Sequence, residues 1–394
     1  MSTIRDSLKE SVSRKTRSSV IKTKRPRRHI PQPSKERPVS VAFPILPVEL
    51  LLEILSYFPR PVDPLSTERW CTLFDDADAS EYLAWRKTLL SLSQTCRHWR
   101  EVFWTQLWRC IEVCEEMHTE EHGKLSKGHP YYVARNATIE RRFNSELVRQ
   151  LEVVTVRDPC LADYVKIINV EVVEFSIKKV LIELARCLSL FPNLRDIKLQ
   201  ILKTQQTEIS LASIVRSVFS EHKYMQIRSV GVCNMSYPLL SSCPEARHVG
   251  WRLVSSNRSE HPLQYQLSGG IPCCPRVECL ELYAYWTRNP EDNSLESIAE
   301  AFPNVRELTL RWKAFWIHSD LPDLDFLIKL LRLRKIEMLT LPNIKGDDRR
   351  EFARTLVEHL LKLQKRDGEA KEAILHWATN KFPEKTILPA PPSK

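Results

Sequence analysis

Glycine is scarce in this chain, with only eight among 394 residues. No group of them has the spacing of a Walker-type phosphate loop, a dinucleotide-binding loop or a nucleophile elbow. Such motifs need glycines a few residues apart, so that backbone N–H groups can approach an anion or turn sharply. No Ser/His/Asp or Cys/His arrangement is recognisable either. We therefore expect no catalytic site and no cofactor.

Long apolar runs are also missing. No stretch reaches the roughly 20 apolar residues of a membrane-spanning helix, and the opening MSTIRDSLKE is too polar for a secretory leader. The eleven cysteines are odd in number and irregularly spaced, which is typical of reduced thiols rather than of a disulfide framework. We expect a cytoplasmic or nuclear protein with no membrane partner.

The net charge of +10 belongs to one end of the chain. Residues 1–40 hold twelve Lys and Arg against three acidic residues, and the remainder is close to neutral. With few apolar residues, this basic tail is expected to be disordered. Its run Lys22–His29 is a candidate nuclear import signal or a weak phosphate-binding arm, and a plain solubilising tail is the alternative.

Two apolar helices are predicted after the tail. In the first, Leu50, Leu51, Ile54, Leu55 and Phe58 follow Pro47 at helical spacing. The second is predicted from Leu89 to Phe103, and it leads into a short stretch in which three tryptophans occur within ten residues. So small a unit has little core of its own and tends to bury its apolar stripe against something else.

These residues resemble an F-box. The pattern is Leu46-Pro47-x-Glu49-Leu50, then Leu92-Ser93-Gln94-Thr95-Cys96-Arg97-His98-Trp99-Arg100, then Leu107-Trp108-Arg109. The order and the spacing within each half are similar to the family's, and residues 59–88 form an insertion similar to those of many fungal members. The resemblance covers roughly residues 44–112, which is under a fifth of the chain.

The resemblance implies docking on a Skp-family adaptor of a cullin–RING (SCF-type) ubiquitin ligase. Ten positions match the family's apolar set, of which part holds the three helices together and part faces the adaptor. They are Leu46, Pro47, Leu50, Leu51, Ile54, Leu92, Cys96, Trp99, Leu107 and Trp108. The alternative is a small helical subdomain packed on the chain's own C-terminal part.

Beyond residue 151 a helix, an F-P or C-P turn and a short strand recur. The clearest copies are Phe191–Leu199 and Phe302–Leu310; weaker ones begin at Cys243 and Cys274. Further strands are predicted around Val154, Val173, Val230 and Leu339. The theme resembles an irregular leucine-rich-repeat array, and alternating helices and strands favour a parallel sheet covered by helices.

The fold class expected is therefore α/β, with a three-helix F-box module followed by an irregular leucine-rich-repeat-like solenoid built on a short-stranded parallel sheet. The predicted segments are a basic tail at 1–40, the helical module at 44–112, a linker or helical connector at 113–150, the solenoid at 151–343 and a capping region at 344–394. The capping region is predicted to hold two helices, Asp348–Lys365 and Glu369–Asn380, and a tail.

Two groups of residues have the composition of metal-binding sites. His118-Thr119-Glu120-Glu121-His122 matches an inverted zinc-protease motif, but it lies in a polar stretch without a third ligand. Cys110, Cys114, His118 and His122 are spaced by four, so on one helix the first and last lie about 18 Å apart, too far to bind one ion. We therefore expect no metal site.

The sequence thus predicts a non-catalytic substrate receptor, whose repeat surface binds a protein substrate of unknown identity. Weak candidates for that contact are the aromatic residues in or just after predicted strands, for which a place in the core is at least as good an interpretation. They are Trp251, Tyr283, Tyr285, Trp286, Trp312 and Trp316. The alternatives are a repeat-like scaffold unconnected with ubiquitin and a nucleic-acid-binding protein that uses the basic arm, although nucleic acid is not the partner we favour.

Overall fold

Within the residues described by the computed structural model, three helices precede a sheet of ten strands. The residues that the structure describes are 46–57, 76–113, 137–202, 208–253, 272–284, 294–312, 327, 329–341, 346–377 and 384–388. The three leading helices are α1 (Val48–Ser56), α2 (Asp76–Ser93) and α3 (Arg97–Leu107). The basic tail, with the run Lys22–His29, lies outside the described residues.

The single helix predicted from Leu89 to Phe103 is wrong, because the chain breaks between α2 and α3. The Ser93 and Thr95 hydroxyls donate to the carbonyls of Leu90 and Leu92, at 2.6 and 2.7 Å. Such local bonds compete with the helical ladder. Cys96 is then extended, and its sulfur accepts the N–H of Trp99 at 3.5 Å, so that it caps the start of α3.

The ten strands lie side by side in the order in which the chain makes them. Strands β1 to β9 pair in parallel, and β10 closes the sheet antiparallel to β9. The strands are β1 (Cys110–Val113), β2 (Ile167–Val173), β3 (Asp196–Leu202), β4 (Ser229–Cys233), β5 (His248–Leu253), β6 (Cys279–Ala284), β7 (Glu307–Trp312), β8 (Lys335–Leu341), β9 (Glu372–Trp377) and β10 (Glu384–Leu388). The chain is therefore a mixed α/β protein with a mostly parallel sheet.

Helical segments connect several of these strands. The α-helices are α4 (Ala137–Glu152), α5 (Ile177–Leu188), α6 (Glu208–Phe219), α7 (Ser294–Ala301) and α8 (Gly346–Asp367). Shorter segments follow α4, as a π-helical turn at Val153–Arg157 and a 3-10 helix at Pro159–Tyr164, and a second 3-10 helix at Tyr237–Ser242 follows β4. The strand predicted around Val154 is therefore wrong, since its apolar residues continue the helical path of α4.

The core lies on one face of the sheet. From β1 to β9 every second described side chain belongs to that face; in β3 these are Ile197, Leu199 and Ile201, all nearly or fully buried. In β3 the intervening positions, on the opposite face, carry the polar residues Asp196, Lys198 and Gln200. At the β1 edge of that face the Asn169 amide donates to the Glu112 carboxylate at 2.9 Å, with both side chains buried. This alternation is the period-2 pattern that an extended strand imposes.

The turn before each strand repeats the same packing. Five residues ahead of each strand from β3 to β8 stands a buried side chain, so the two near-identical copies of the sequence place their phenylalanines in equivalent positions. The six residues are Phe191, Tyr224, Cys243, Cys274, Phe302 and Leu330. Each of their carbonyls accepts the N–H of the residue three positions later. The predicted strands around Val173, Val230 and Leu339 are present as β2, β4 and β8.

Two predicted boundaries need correction. The sheet begins at Cys110, well before residue 151, because β1 directly follows the helical part and pairs with β2. The predicted helix Glu369–Asn380 is wrong as well. Gly368, with φ +74°, ends α8 and donates its N–H to the Gln364 carbonyl at 2.8 Å. The chain beyond it enters β9, where Ala373 and Leu375 join the core face.

The nine cysteines within the described residues are all free thiols. Burial raises the pKa of Cys274 to about 11 and that of Cys187 to about 12, because the charged thiolate is poorly solvated there. Cys160 and Cys273 are exposed instead. Among these nine, the exposed pair is the better target for alkylating reagents, since the thiolate is the reacting species.

One buried amide joins α4 to the end of β2. The Asn144 side chain accepts the N–H of Val173 at 3.2 Å and donates to the Val173 carbonyl at 3.1 Å and to the carbonyl of Phe175. We expect Asn144→Ala to lower the free energy of unfolding by about 1–3 kcal/mol, because buried backbone groups lose their partner. Urea denaturation measures this. Asn193→Ala is the matched control: its amide donates to the Asp163 carbonyl at an exposed site, so a loss of equal size would contradict the assignment.

Candidate functional site

The three leading helices are tied together by polar contacts between their ends. The His98 imidazole on α3 bonds through Nε2 to the Leu46 carbonyl, 3.1 Å away, just ahead of α1. The Arg100 Nε donates to the Ser93 carbonyl at 3.3 Å, at the last turn of α2. Leu51 and Phe103 are fully buried between these elements and the rest of the core. The contacts fix how α1 lies relative to α2 and α3.

Helix α1 carries apolar side chains that are buried and others that stay exposed. Leu51 and Leu55, one turn apart, are buried. The next pair around the helix, Leu50 and Ile54, is 50% and 38% exposed, and Leu52 on the other flank is 41% exposed. Successive residues differ by about 100° around a helix, so these side chains form two apolar flanks beside one buried stripe. We call Leu50 and Ile54 the open flank of α1.

A hollow of about 460 Å³ lies at the break between α2 and α3. Its lining includes two aromatic rings, from Trp104 and Tyr164, and two arginines. The lining residues are Gln94, Thr95, Cys96, Arg97, Arg100, Glu101, Trp104 and Tyr164. The Arg100 guanidinium stands over the Trp104 ring, 5.7 Å from its centroid, a cation–π geometry. Tyr164 comes from the 3-10 helix that leads into β2, so the hollow joins the helical part to the sheet.

The ten apolar residues that resemble the family's set divide into three groups by exposure. Leu51, Leu107 and Trp108 are buried and hold the protein's own core, so they are not available to a partner. Leu46, Leu92, Cys96 and Trp99 are half-buried. Pro47, Leu50 and Ile54 are exposed. The division requires the tertiary structure, since all ten have the same apolar character in the sequence.

Among the aromatic residues considered for substrate binding, Trp251 is ruled out as a surface contact. Its side chain is fully buried, stacked on Tyr237 at 5.8 Å between centroids and edge-on to Phe302 at 6.3 Å. Tyr283 and Trp312 lie in β6 and β7, but their side chains are outside the described set. The remaining three, Tyr285, Trp286 and Trp316, lie outside the described residues.

The chemical motifs fall largely outside the described residues as well. That holds for His118, His122 and Cys114, whereas Cys110 opens β1. Within the described ranges no three His, Cys, Asp or Glu side chains come together as metal ligands would. None of the helices in those ranges has the length and apolar character required to cross a bilayer.

Comparison of this chain with protein-family models and with curated proteins finds no match. The functional argument therefore depends on the residues and geometry above. Sequence reasoning did not identify Tyr164 as part of the hollow, because only the fold brings the 3-10 helix before β2 next to the start of α3. Arg100 and Trp104 had a detectable signal, since at helical spacing i and i+4 lie on one face.

Proposed function

We propose that the chain is a non-catalytic F-box-type substrate receptor of a cullin–RING ubiquitin ligase. In this proposal the helical part, which consists of α1, α2 and α3, docks on a Skp-family adaptor. The sheet region presents a protein substrate, and other subunits transfer the ubiquitin. The observation that carries the proposal is the open flank of α1, where Leu50 and Ile54 stay exposed within the segment that resembles an F-box.

The energetics favour a partner for this flank. A single exposed Leu needs no explanation. A helix with exposed apolar flanks beside a buried stripe is typical of a helix that packs on its own protein on one side and on a partner on another. Covering the exposed half of a Leu or Ile side chain contributes about 1 kcal/mol. The half-buried Trp99 on α3 and Cys96 just before it add further apolar area, while the hollow beside Arg100 offers a cation and an aromatic ring to the partner.

The sheet supports the second half of the proposal, a leucine-rich-repeat-like solenoid. Strands β6, β7 and β8 begin 28 residues apart, at Cys279, Glu307 and Lys335, and leucine-rich repeats have periods of about 20–29 residues. Sequential parallel strands with matching turns are what stacked units produce. Such an array presents a long, ordered surface to a substrate, which a receptor requires.

Binding to a purified Skp-family adaptor tests the proposal. The full-length chain is expected to form a complex with the adaptor in size-exclusion chromatography and calorimetry. Leu50→Asp combined with Ile54→Asp is expected to weaken this complex by about tenfold or more, because two carboxylates would lose water against an apolar surface. Both positions are solvent-exposed, so the fold should tolerate the change.

Ile182→Asp provides the matched control, since Ile182 on α5 is also 50% exposed and helical. This variant should bind the adaptor like the unmodified chain. If the unmodified chain does not bind the adaptor, or if all variants bind equally, the ligase assignment fails. A repeat-like scaffold then becomes the better interpretation, and salt-dependent nucleic-acid binding that requires residues 1–40 would favour the basic arm instead.

A further inference from the structure

The residue immediately before each parallel strand is nearly always a cation. A continuous backbone ladder brings these residues together: the N–H of Arg228 donates to the Arg195 carbonyl at 2.7 Å, and the N–H of Arg247 to the Arg228 carbonyl at 2.8 Å. Similar bonds link every successive pair from β1 to β8. The residues in strand order are Arg109, Lys166, Arg195, Arg228, Arg247, Glu278, Arg306 and Arg334. Eight neighbouring strands thus place one residue each in a single row.

The positive charge is concentrated in the first five strands. We call Arg109, Lys166, Arg195, Arg228 and Arg247 the basic column; all five are exposed. Neighbouring strands lie about 4.8 Å apart, so the column extends roughly 19 Å along the amino-terminal rim of the sheet. The next position holds an acid, Glu278, which ends the uninterrupted run.

Among the described residues, few of these cations have an acidic partner. Arg228 pairs with Glu245 at 3.1 Å, and Arg334, beyond the column, binds Glu369 at 2.6 Å. Within the part of the chain that the structure describes, Arg109, Lys166, Arg195 and Arg247 have no ion pair. Packing does not require these charges, because the buried residue in each unit is the preceding one, such as Leu194 or Ala246. Like charges on adjacent strands repel, so the fold alone gives no reason for the arrangement.

We infer that the basic column binds an acidic segment of a partner protein, rich in Asp and Glu. A span of roughly 19 Å matches about six residues of extended peptide at 3.3 Å each. Duplex nucleic acid fits less well, since five cations in a row are fewer than the 6–10 phosphate contacts of a strongly salt-dependent duplex-binding protein. If the proposed function is right, this segment belongs to the substrate.

The test uses the full-length chain and a fluorescein-labelled peptide of ten glutamates. Four substitutions, Arg109→Gln, Lys166→Gln, Arg195→Gln and Arg247→Gln, are combined in one variant. A control variant removes four exposed cations elsewhere, Lys178, Lys179, Lys362 and Lys365, also by change to Gln. Both variants lose the same net charge and keep the basic tail. Fluorescence anisotropy is expected to show binding roughly tenfold weaker in the column variant than in the control, from several exposed ion pairs lost together.

Equal affinity in the two variants would overturn the inference, because the peptide would then respond only to net charge or to the tail. A second arm replaces the peptide with a labelled 20-base-pair DNA. If the column variant loses DNA binding more than peptide binding, the surface serves nucleic acid and the inference is wrong. Neither arm contains the Skp-family adaptor. The column variant should also bind the adaptor normally, so failure of the ligase proposal and failure of this inference are distinguishable.

Discussion

Trp251→Ala is expected to lower the free energy of unfolding by about 3–5 kcal/mol, which is a large share of the stability of an ordinary domain. Trp251 lies on the core face of β5, with Tyr237 stacked against it and Phe302 edge-on. Its removal would leave a cavity in the middle of the sheet, bordered by residues of three different units. Urea denaturation followed by circular dichroism measures the loss.

Trp251→Phe separates packing from polarity at this position. The indole Nε1 is buried without a hydrogen-bond partner in the described part of the chain, so removing it should forfeit no bond. We expect the Phe variant to retain most of the stability, at a cost clearly smaller than that of Ala. If Phe and Ala destabilise the chain equally, the ring packing described here is not what Trp251 contributes.

The repeat theme was the most predictable part of the fold. Phe191–Leu199 and Phe302–Leu310 share their pattern because each copy forms the same local structure. It consists of a buried aromatic residue, a turn, and a strand with alternate residues facing the core. Register follows from this, since a slip by one residue would turn Ile197 and Leu199 away from the core. Local pattern and tertiary packing agree here, so the sequence is informative.

The sequence predictions were wrong for short apolar segments that lack this repeated pattern of buried residue, turn and strand. Glu369–Asn380 reads as an amphipathic helix, but its Ala373 and Leu375 complete the core face next to β8. The apolar run around Val154 was predicted to be a strand, but it extends α4 into a π-helical turn. Periodicity alone does not separate a short buried strand from a short buried helix. Whether such a segment becomes a strand depends on a neighbouring strand with which it can pair, and that neighbour is known only from the fold.

The candidate site was predictable in composition rather than in detail. The apolar residues of the helical part stand out in the sequence, but Leu50 and Leu51 differ in exposure only because the chain covers one side of α1. The basic column had a readable signal that was missed. An apolar residue, a cation, any residue and another apolar residue recur in Leu194–Ile197, Ala246–Val249 and Val305–Leu308. The cation is easily overlooked, since single exposed Arg residues are common.

Trp108→Ala is expected to cost about 3–5 kcal/mol and to loosen the helices and the sheet together. Trp108 is buried immediately after α3, and only Arg109 separates it from β1. The Arg109 carbonyl accepts the N–H groups of Lys166 and Ile167 at 2.9 and 3.1 Å. No linker therefore separates α3 from β1. Under the proposed function this connection matters, because a rigid joint would hold a substrate at a fixed position relative to the adaptor.

Hydrogen exchange with mass spectrometry measures whether the two parts open as one cooperative unit. In the Trp108→Ala variant, peptides from α3 and from β2 should lose protection to the same extent. Trp104→Ala is the control on the same helix: Trp104 is only half-buried against Arg100, so its loss should affect the hollow and leave β2 protected. If Trp108→Ala melts α3 while β2 stays fully protected, the helical part is an independent module, and the rigid geometry argued here does not exist.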